Sequence, residues 1–416
     1  MRERDVYVIL FLTFIARLFF IHPTYSDENI YFNMAKNMAE KNLIPYKDFF
    51  YAHPPLHLFL LSSLFKLFGP SLYLGKLLPL LSVLFSSFLL SEIYSFFFKR
   101  RVPYLPLLFF FSPQALSFGT VGYGMWPPLM LSLFSIYFFL KKKPLLSSLS
   151  LVLACFFRYL FLLYLLVFVV LFYGKKELKK FVLSFSLTFT FLFLLFFLSF
   201  GQGFFSQTVV YHLESKMSKF RNPILYSHYL TMNLPLLFIS SLTFLLFGGR
   251  KRMFYIALSL DAFILLFFKV GFAHYFLLSL PFYLFVLPSF GHKDILCVFF
   301  ALYVLLNYPS ILYHNTTNRV VDGVLNYFEG KRGEVFGDSI LMNLVSFRHG
   351  LRVPLDEFDA DPIRMKLNPD VLERVREEEP DYLILSEFSP PEFLFPSYLS
   401  ELSLEGLPRV QVFHKI

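Results

Sequence analysis

The sequence predicts a polytopic α-helical membrane protein with about eleven transmembrane helices. Interfacial helices follow in its first outer loop, and a small C-terminal α/β domain stands outside the membrane. Three observations carry this. Hydrophobic residues make up 56% of the 416-residue chain and charged residues only 16%, with a mean hydropathy of +0.59. The apolar runs reach roughly 15–25 residues, the length that crosses a bilayer. Short Lys/Arg clusters separate the runs, as in cytoplasmic loops. A soluble protein would instead show polar stripes at the helical period.

The basic clusters set the order of the elements. They are Arg2 and Arg4, Lys99 to Arg101, Lys141 to Lys143, Lys175 to Lys180, Arg250 to Arg252, and Lys293. Placing each inside predicts spans near residues 6–21, 71–98, 104–118, 126–140, 144–157, 160–173, 181–200, 231–247, 253–268, 275–290 and 295–312. The N-terminus is then cytoplasmic and the C-terminal segment extracytoplasmic. The parity requires that 54–68 does not span; this stretch is short, opens with two prolines and carries His57 and Lys66, so it reads as a helix along the outer surface. The net charge of +9 is therefore topology at an anionic inner membrane surface, not a nucleic-acid footprint. The first run leads into a polar loop without a small-residue cleavage site, so no cleavable signal peptide is expected. Cys155 and Cys297 sit in apolar runs and read as small buried hydrophobes.

Polar pieces on the outer side come from 22–53, 119–125, 201–230 and 269–274, and Arg158 falls at the outer turn between two spans. Ionisable groups at such depth are rare and tend to mark function. The composition changes near Asn315, dividing the chain into a transmembrane catalytic domain, 1–314, and a soluble domain, 315–416. In the latter GEVFGD, LRVPL, DYLILSE and PRVQVFHKI read as strands, and SILMNLVSFRHG and NPDVLERVREEEP as helices. Their alternation predicts a mostly parallel sheet. It contains no Gly-rich phosphate loop.

The stretch SDENIYFNMAKNMAEKNLIPYKDFFYAHPPL, residues 26–56, interrupts the apolar runs early. Ser26 can N-cap a helix whose first turn holds Asp27 and Glu28, acids favoured there by the helix dipole. Ile30, Tyr31, Met34, Ala35, Met38 and Ala39 form an apolar face, and Asn33, Lys36, Asn37, Glu40 and Lys41 a polar one. This is the pattern of an interfacial helix.

The order of apolar span, DExxYxxMAxxM, IPYKDFFYAHPPL, FKLFG and a second span resembles the first outer loop of the GT-C glycosyltransferases. The protein O-mannosyltransferases and the lipid A aminoarabinose transferases are nearest in pattern. The motifs lie mainly in 22–80, and the multi-span layout with its outer C-terminal domain extends the likeness over the chain. The resemblance implies an enzyme of the cytoplasmic membrane whose extracytoplasmic active site moves a sugar from a polyprenyl-phosphate carrier to a hydroxyl of a lipid, protein or glycan. A transporter or flippase of lipid-linked sugars is the alternative; it would need acids or broken helices near mid-bilayer, where Asp261 is the one deep acid in a late span and has no partner in sequence.

An acceptor hydroxyl is a poor nucleophile at neutral pH, and a carboxylate that takes its proton supplies about 10²–10⁴-fold. In the family the first acid of the Asp-Glu pair has that role, which falls here on Asp27. Glu28 positions Asp27 or contacts the acceptor. The structural alternative is that both acids cap a helix. His53, before Pro54 and Pro55, matches a position implicated in metal binding in the aminoarabinose transferases. The resemblance thus raises a divalent metal ion as cofactor, with Asp27 and His53 as candidate ligands. Relatives also carry an acid where this chain reads GYGMWPPLM, so the metal stays open. The developing charge of the leaving phosphate needs cations or donors. The candidates are Arg158, Lys216, Lys219, Arg221, Lys269 and His274, of which Arg158, Lys269 and His274 are preferred, with Tyr31, His53 and His212 as further substrate contacts.

Overall fold

The structure, a computed structural model, describes residues 3–19, 21–216, 233–247, 251–267, 273–289, 293–308, 311–312, 318–360, 369–387, 389, 393, 398–404 and 409–415. The chain forms two compact units. One comprises Met1–Phe20, His53–His57 and Lys76–Asn315; the other comprises Ile21–Ala52, Leu58–Gly75 and Thr316–Ile416.

The first unit is helical. Leu72–Phe98, which enters it at Lys76, and Lys176–Phe200 are long and apolar enough to cross a membrane, and Trp126–Leu140, Pro144–Phe157, Tyr159–Phe172 and Leu234–Leu245 are shorter apolar helices. Among the described residues, the predicted runs at 104–118 and 275–290 are interrupted near prolines. The run at 104–118 is divided into Leu105–Phe110 and Pro113–Phe118, where Pro113 lacks a donor and Ser112 caps the second piece by accepting from the Ala115 amide at 3.3 Å. The run at 275–290 becomes the 3₁₀ turn Ala273–Leu278, the helix Leu280–Val286 and the turn Leu287–Ser289.

Small residues let helices approach closely where the apolar effect of lipid gives no drive. Ser135 Oγ donates to the Ser147 carbonyl at 2.6 Å and Ser147 Oγ to the Ser135 carbonyl at 2.8 Å, joining Trp126–Leu140 to Pro144–Phe157. Ser148 and Ser184 then join the latter to Lys176–Phe200 at 2.7 Å. On that long helix Phe181 and Phe185 are buried, whereas Leu183, Leu187, Phe191 and Leu198 are exposed. Deeper lies a polar knot. Asp261 accepts from Asn233 Nδ2 at 3.1 and 3.2 Å and from Tyr283 OH at 2.7 Å, while Gln114 bridges Asn233 and Tyr303. Asp261, which has no partner nearby in sequence, is thus held by donors from distant segments.

The second unit carries a four-stranded sheet, β1 (Val335–Gly337), β2 (Tyr382–Ser386), β3 (Tyr398–Leu404) and β4 (Val410–Lys415), in the order β1-β2-β4-β3. Only β1 and β2 pair in parallel; β4 runs antiparallel to both β2 and β3, so the sheet is mixed and not mostly parallel. The stretch LRVPL is no strand, since Pro354 opens a 3₁₀ turn and only an isolated bridge joins Arg352 to Glu334. Gly337 ends β1 at φ +129°, where a Cβ would lie 2.0 Å from the Ile384 carbonyl oxygen, so only glycine lets β1 approach β2. The helices Ser339–His349 and Pro369–Glu378 form where expected, and Arg319–Phe328 precedes them. The interfacial helix Glu28–Lys41 belongs to this unit.

Candidate active site

In the second unit the chain turns at 24–28 into the helix Glu28–Lys41. The N-cap position is Asp27 and not Ser26: the Asn29 amide bonds the Ser26 carbonyl and the Ile30 amide the Asp27 carbonyl, each at 3.1 Å. The Asp27 side chain makes no cap hydrogen bond and is half-buried. Its neighbour behaves differently. Glu28 is fully buried, and its Oε1 accepts from Thr24 Oγ1 at 2.5 Å, while Asn29 Nδ2 donates to the Thr24 carbonyl at 2.8 Å. The two acids are therefore separated by environment. Glu28 pins the turn from inside, and the Asp27 carboxylate is left out of the capping role. Tyr31 packs edge-on to Tyr51 at 6.2 Å between ring centroids, one turn along.

The expected polar face of this helix is solvated only at its C-terminal end, where Glu40 and Lys41 are exposed. Asn33 and Asn37 are buried, as are Phe32, Met34 and Ala35, because Ser339–His349 lies against them. Sequence periodicity cannot show this, since the covering helix lies some three hundred residues away.

In the first unit Arg158 ends the helix Pro144–Phe157 in an extended conformation and starts the 3₁₀ turn Tyr159–Leu162. Buried to 8% exposure, its guanidinium donates to the Tyr123 carbonyl oxygen. The Tyr123 ring in turn meets His274, also 8% exposed, at 4.7 Å between centroids. Backbone carbonyl, cation and imidazole are thus brought together from three segments.

His57, not singled out by sequence as a site residue, is the fourth member. Its ring is buried against Phe157, 6.4 Å between centroids, and Gly124 faces it at φ +69°. A Cβ there would lie 2.8 Å from His57 Nδ1, so glycine is required both by conformation and by space. Burial first, then the nearby Arg158 charge, pushes the imidazole down to about 3. It is neutral at physiological pH. The signal for it was the YGM triplet, a glycine beside an aromatic in an outer loop, but nothing in sequence pairs it with His57.

His53 and His212 stack at 5.2 Å between centroids, with His212 Nε2 3.3 Å from His53 Nδ1. In such a pair each ring nitrogen donates or accepts according to tautomer. Among the described residues no group of three or more His, Cys, Asp or Glu is assembled to hold a metal ion. Lys269 lies outside the described residues.

Comparison with solved structures places the fold. The chain is similar to ArnT, a lipid A aminoarabinose transferase, from Cupriavidus metallidurans in its undecaprenyl phosphate-bound crystal structure, with a TM-score of 0.70 and 13% identity over 98% of this chain and 97% of that one. It is also similar to the mycobacterial arabinofuranosyltransferase AftD, with a TM-score of 0.51 and 13% identity over 100% of this chain and 40% of that one. No protein-family model and no curated protein sequence matches. The chain shares its fold with these two glycosyltransferases, as the order of motifs in 22–80 implied.

Proposed function

We propose that the chain is a multi-pass membrane glycosyltransferase that moves a sugar from a polyprenyl-phosphate carrier to a hydroxyl acceptor on the extracytoplasmic face. In this reading the transmembrane part, 1–314, does the chemistry, and 315–416 stands outside the membrane. The acceptor oxygen attacks the anomeric carbon and its proton passes to the Asp27 carboxylate. The bond from that carbon to the phosphate oxygen breaks with inversion, and the electron pair leaves on the polyprenyl phosphate. Arg158 offsets the charge that develops there, with His53, His212 and His274 as further hydrogen-bonding groups. Lys269 belongs to the same proposed set. Glu28 acts as a support of the Asp27 turn.

One observation carries the assignment of the base: Asp27 occupies the N-cap position of Glu28–Lys41 without capping it, while the adjacent acid is buried and bonded. A carboxylate retained for helix stability would be expected to accept from an amide of the first turn, a contact worth about 1 kcal/mol. The similarity to a transferase bound to undecaprenyl phosphate supports the donor class. The test is incubation of the purified protein in lipid with a panel of radiolabelled polyprenyl-phosphate sugars. Release of the free carrier phosphate with one of them is expected. Release with none, in the presence of lipid, peptide and glycan acceptors, refutes the reading.

A further inference from the structure

The contacts between the C-terminal residues and the helix Glu28–Lys41 are unusual for a domain that merely covers a surface. Beside the Phe32–Phe347 ring contact, several of them are polar and directional. Asn33 Nδ2 donates to Asn343 Oδ1 at 2.9 Å, and Ser346 Oγ to Asn33 Oδ1 at 3.3 Å. Asn343 Nδ2 is itself bound to the Phe358 carbonyl at 2.6 Å, and Lys36 Nζ reaches the Phe347 carbonyl at 3.1 Å. An apolar seam between two helices tolerates a slip. A seam of buried amides does not, because a displaced amide leaves donors and acceptors unmet on both sides. The rotation and the axial position of Glu28–Lys41 are thus set by Ser339–His349.

The segment before the helix is tied as well. Asp338 caps Ser339–His349 with Oδ1, which accepts from the Ile340 and Leu341 amides at 3.1 and 3.0 Å. Its Oδ2 accepts from Ser386 Oγ at 2.5 Å and from Tyr25 OH at 2.8 Å. Tyr25 is two residues before Asp27. One carboxylate of the C-terminal domain therefore anchors its own helix, strand β2 and the turn that presents the proposed base.

We infer that the C-terminal domain positions the general base, with Tyr25 and Asp338 as positioning residues that act through Asp27. The inference rests on the reading of Asp27 given above. A base displaced by about 1 Å can cost up to 10²-fold in rate, whereas the donor-holding groups of the first unit are untouched.

Tyr25→Phe removes one hydroxyl and keeps the ring. Its kcat is expected to fall about tenfold with the KM for the donor unchanged. Asp338→Asn is expected to give a loss of similar size, and combining it with Tyr25→Phe no more than either alone. In an Asp27→Asn background, measured above the protein-free blank, Tyr25→Phe is expected to have no further effect. An unchanged kcat in Tyr25→Phe overturns the inference, as does an equal fold-loss on both backgrounds, since a general loosening would multiply. Near-native turnover of Asp27→Asn alone would remove the base itself and this inference with it, and that failure is read from a separate variant.

Discussion

Gly124→Ala is a small change with a calculable consequence. At φ +69° an alanine enters the left-handed region, which costs roughly 1–2 kcal/mol for a residue with a Cβ. The new methyl would also lie 2.8–3.0 Å from three atoms of the buried His57 ring, so the ring must move, adding about 1–3 kcal/mol of overpacking. Gly174→Ala is the control: its φ is +80°, but nothing lies within 4 Å of its Cβ, so only the backbone cost applies. Thermal unfolding of both variants in the same detergent separates the two contributions. Gly124→Ala should be less stable than Gly174→Ala by about 1–3 kcal/mol and should bind a polyprenyl-phosphate donor more weakly, because His57 adjoins Arg158. Equal stability of the two variants would refute the packing argument at His57. Unchanged donor binding would separate His57 from the phosphate site.

Three further outcomes follow from the same geometry. Arg158→Gln retains hydrogen-bonding groups but loses the charge, and should weaken donor binding by about 1.5–3 kcal/mol in a direct binding assay. Equal affinity would move the phosphate elsewhere. His57 is held down to about 3 against an ordinary 6.5, so the native state binds fewer protons than the unfolded one between those values. Its stabilisation is complete above about 6.5 and lost as pH falls toward 3, at no more than about 1.4 kcal/mol per pH unit, and His57→Phe should flatten this slope in thermal unfolding between pH 7 and 4.5. For topology, a cysteine replacing the exposed Asp370 should react with an impermeant reagent in intact cells, and reaction only after lysis would overturn the outward placement of the C-terminal domain.

What could be read from sequence follows local physics. Apolar runs and Lys/Arg clusters have short-range meaning, so helices such as Trp126–Leu140 and Pro144–Phe157 coincide with the predicted runs. The acidic turn and the depth of Arg158 were legible for the same reason. The failures are contacts at long separation. Asn33 looks solvated until Asn343 and Ser346 meet it, and the Arg158 acceptor is a backbone carbonyl, which no residue type announces. Asp261 finds Asn233 and Tyr283 only through folding. In the sheet, β3 lacks a clean apolar alternation in YLSELSL and is mostly exposed, and Pro354 turns LRVPL out of a strand.

Turnover of Asp27→Asn bears most directly on the proposed chemistry. Asparagine preserves the shape of the side chain and caps a helix about as well as aspartate, but cannot take a proton from the acceptor. With the radiolabelled donor that the native protein uses, transfer should fall about 10²–10⁴-fold while donor binding stays native. Glu28→Gln, altering a buried support, should lose less turnover. Near-native transfer by Asp27→Asn, measured on the same preparation that binds donor normally, would contradict the assignment of Asp27 as the base.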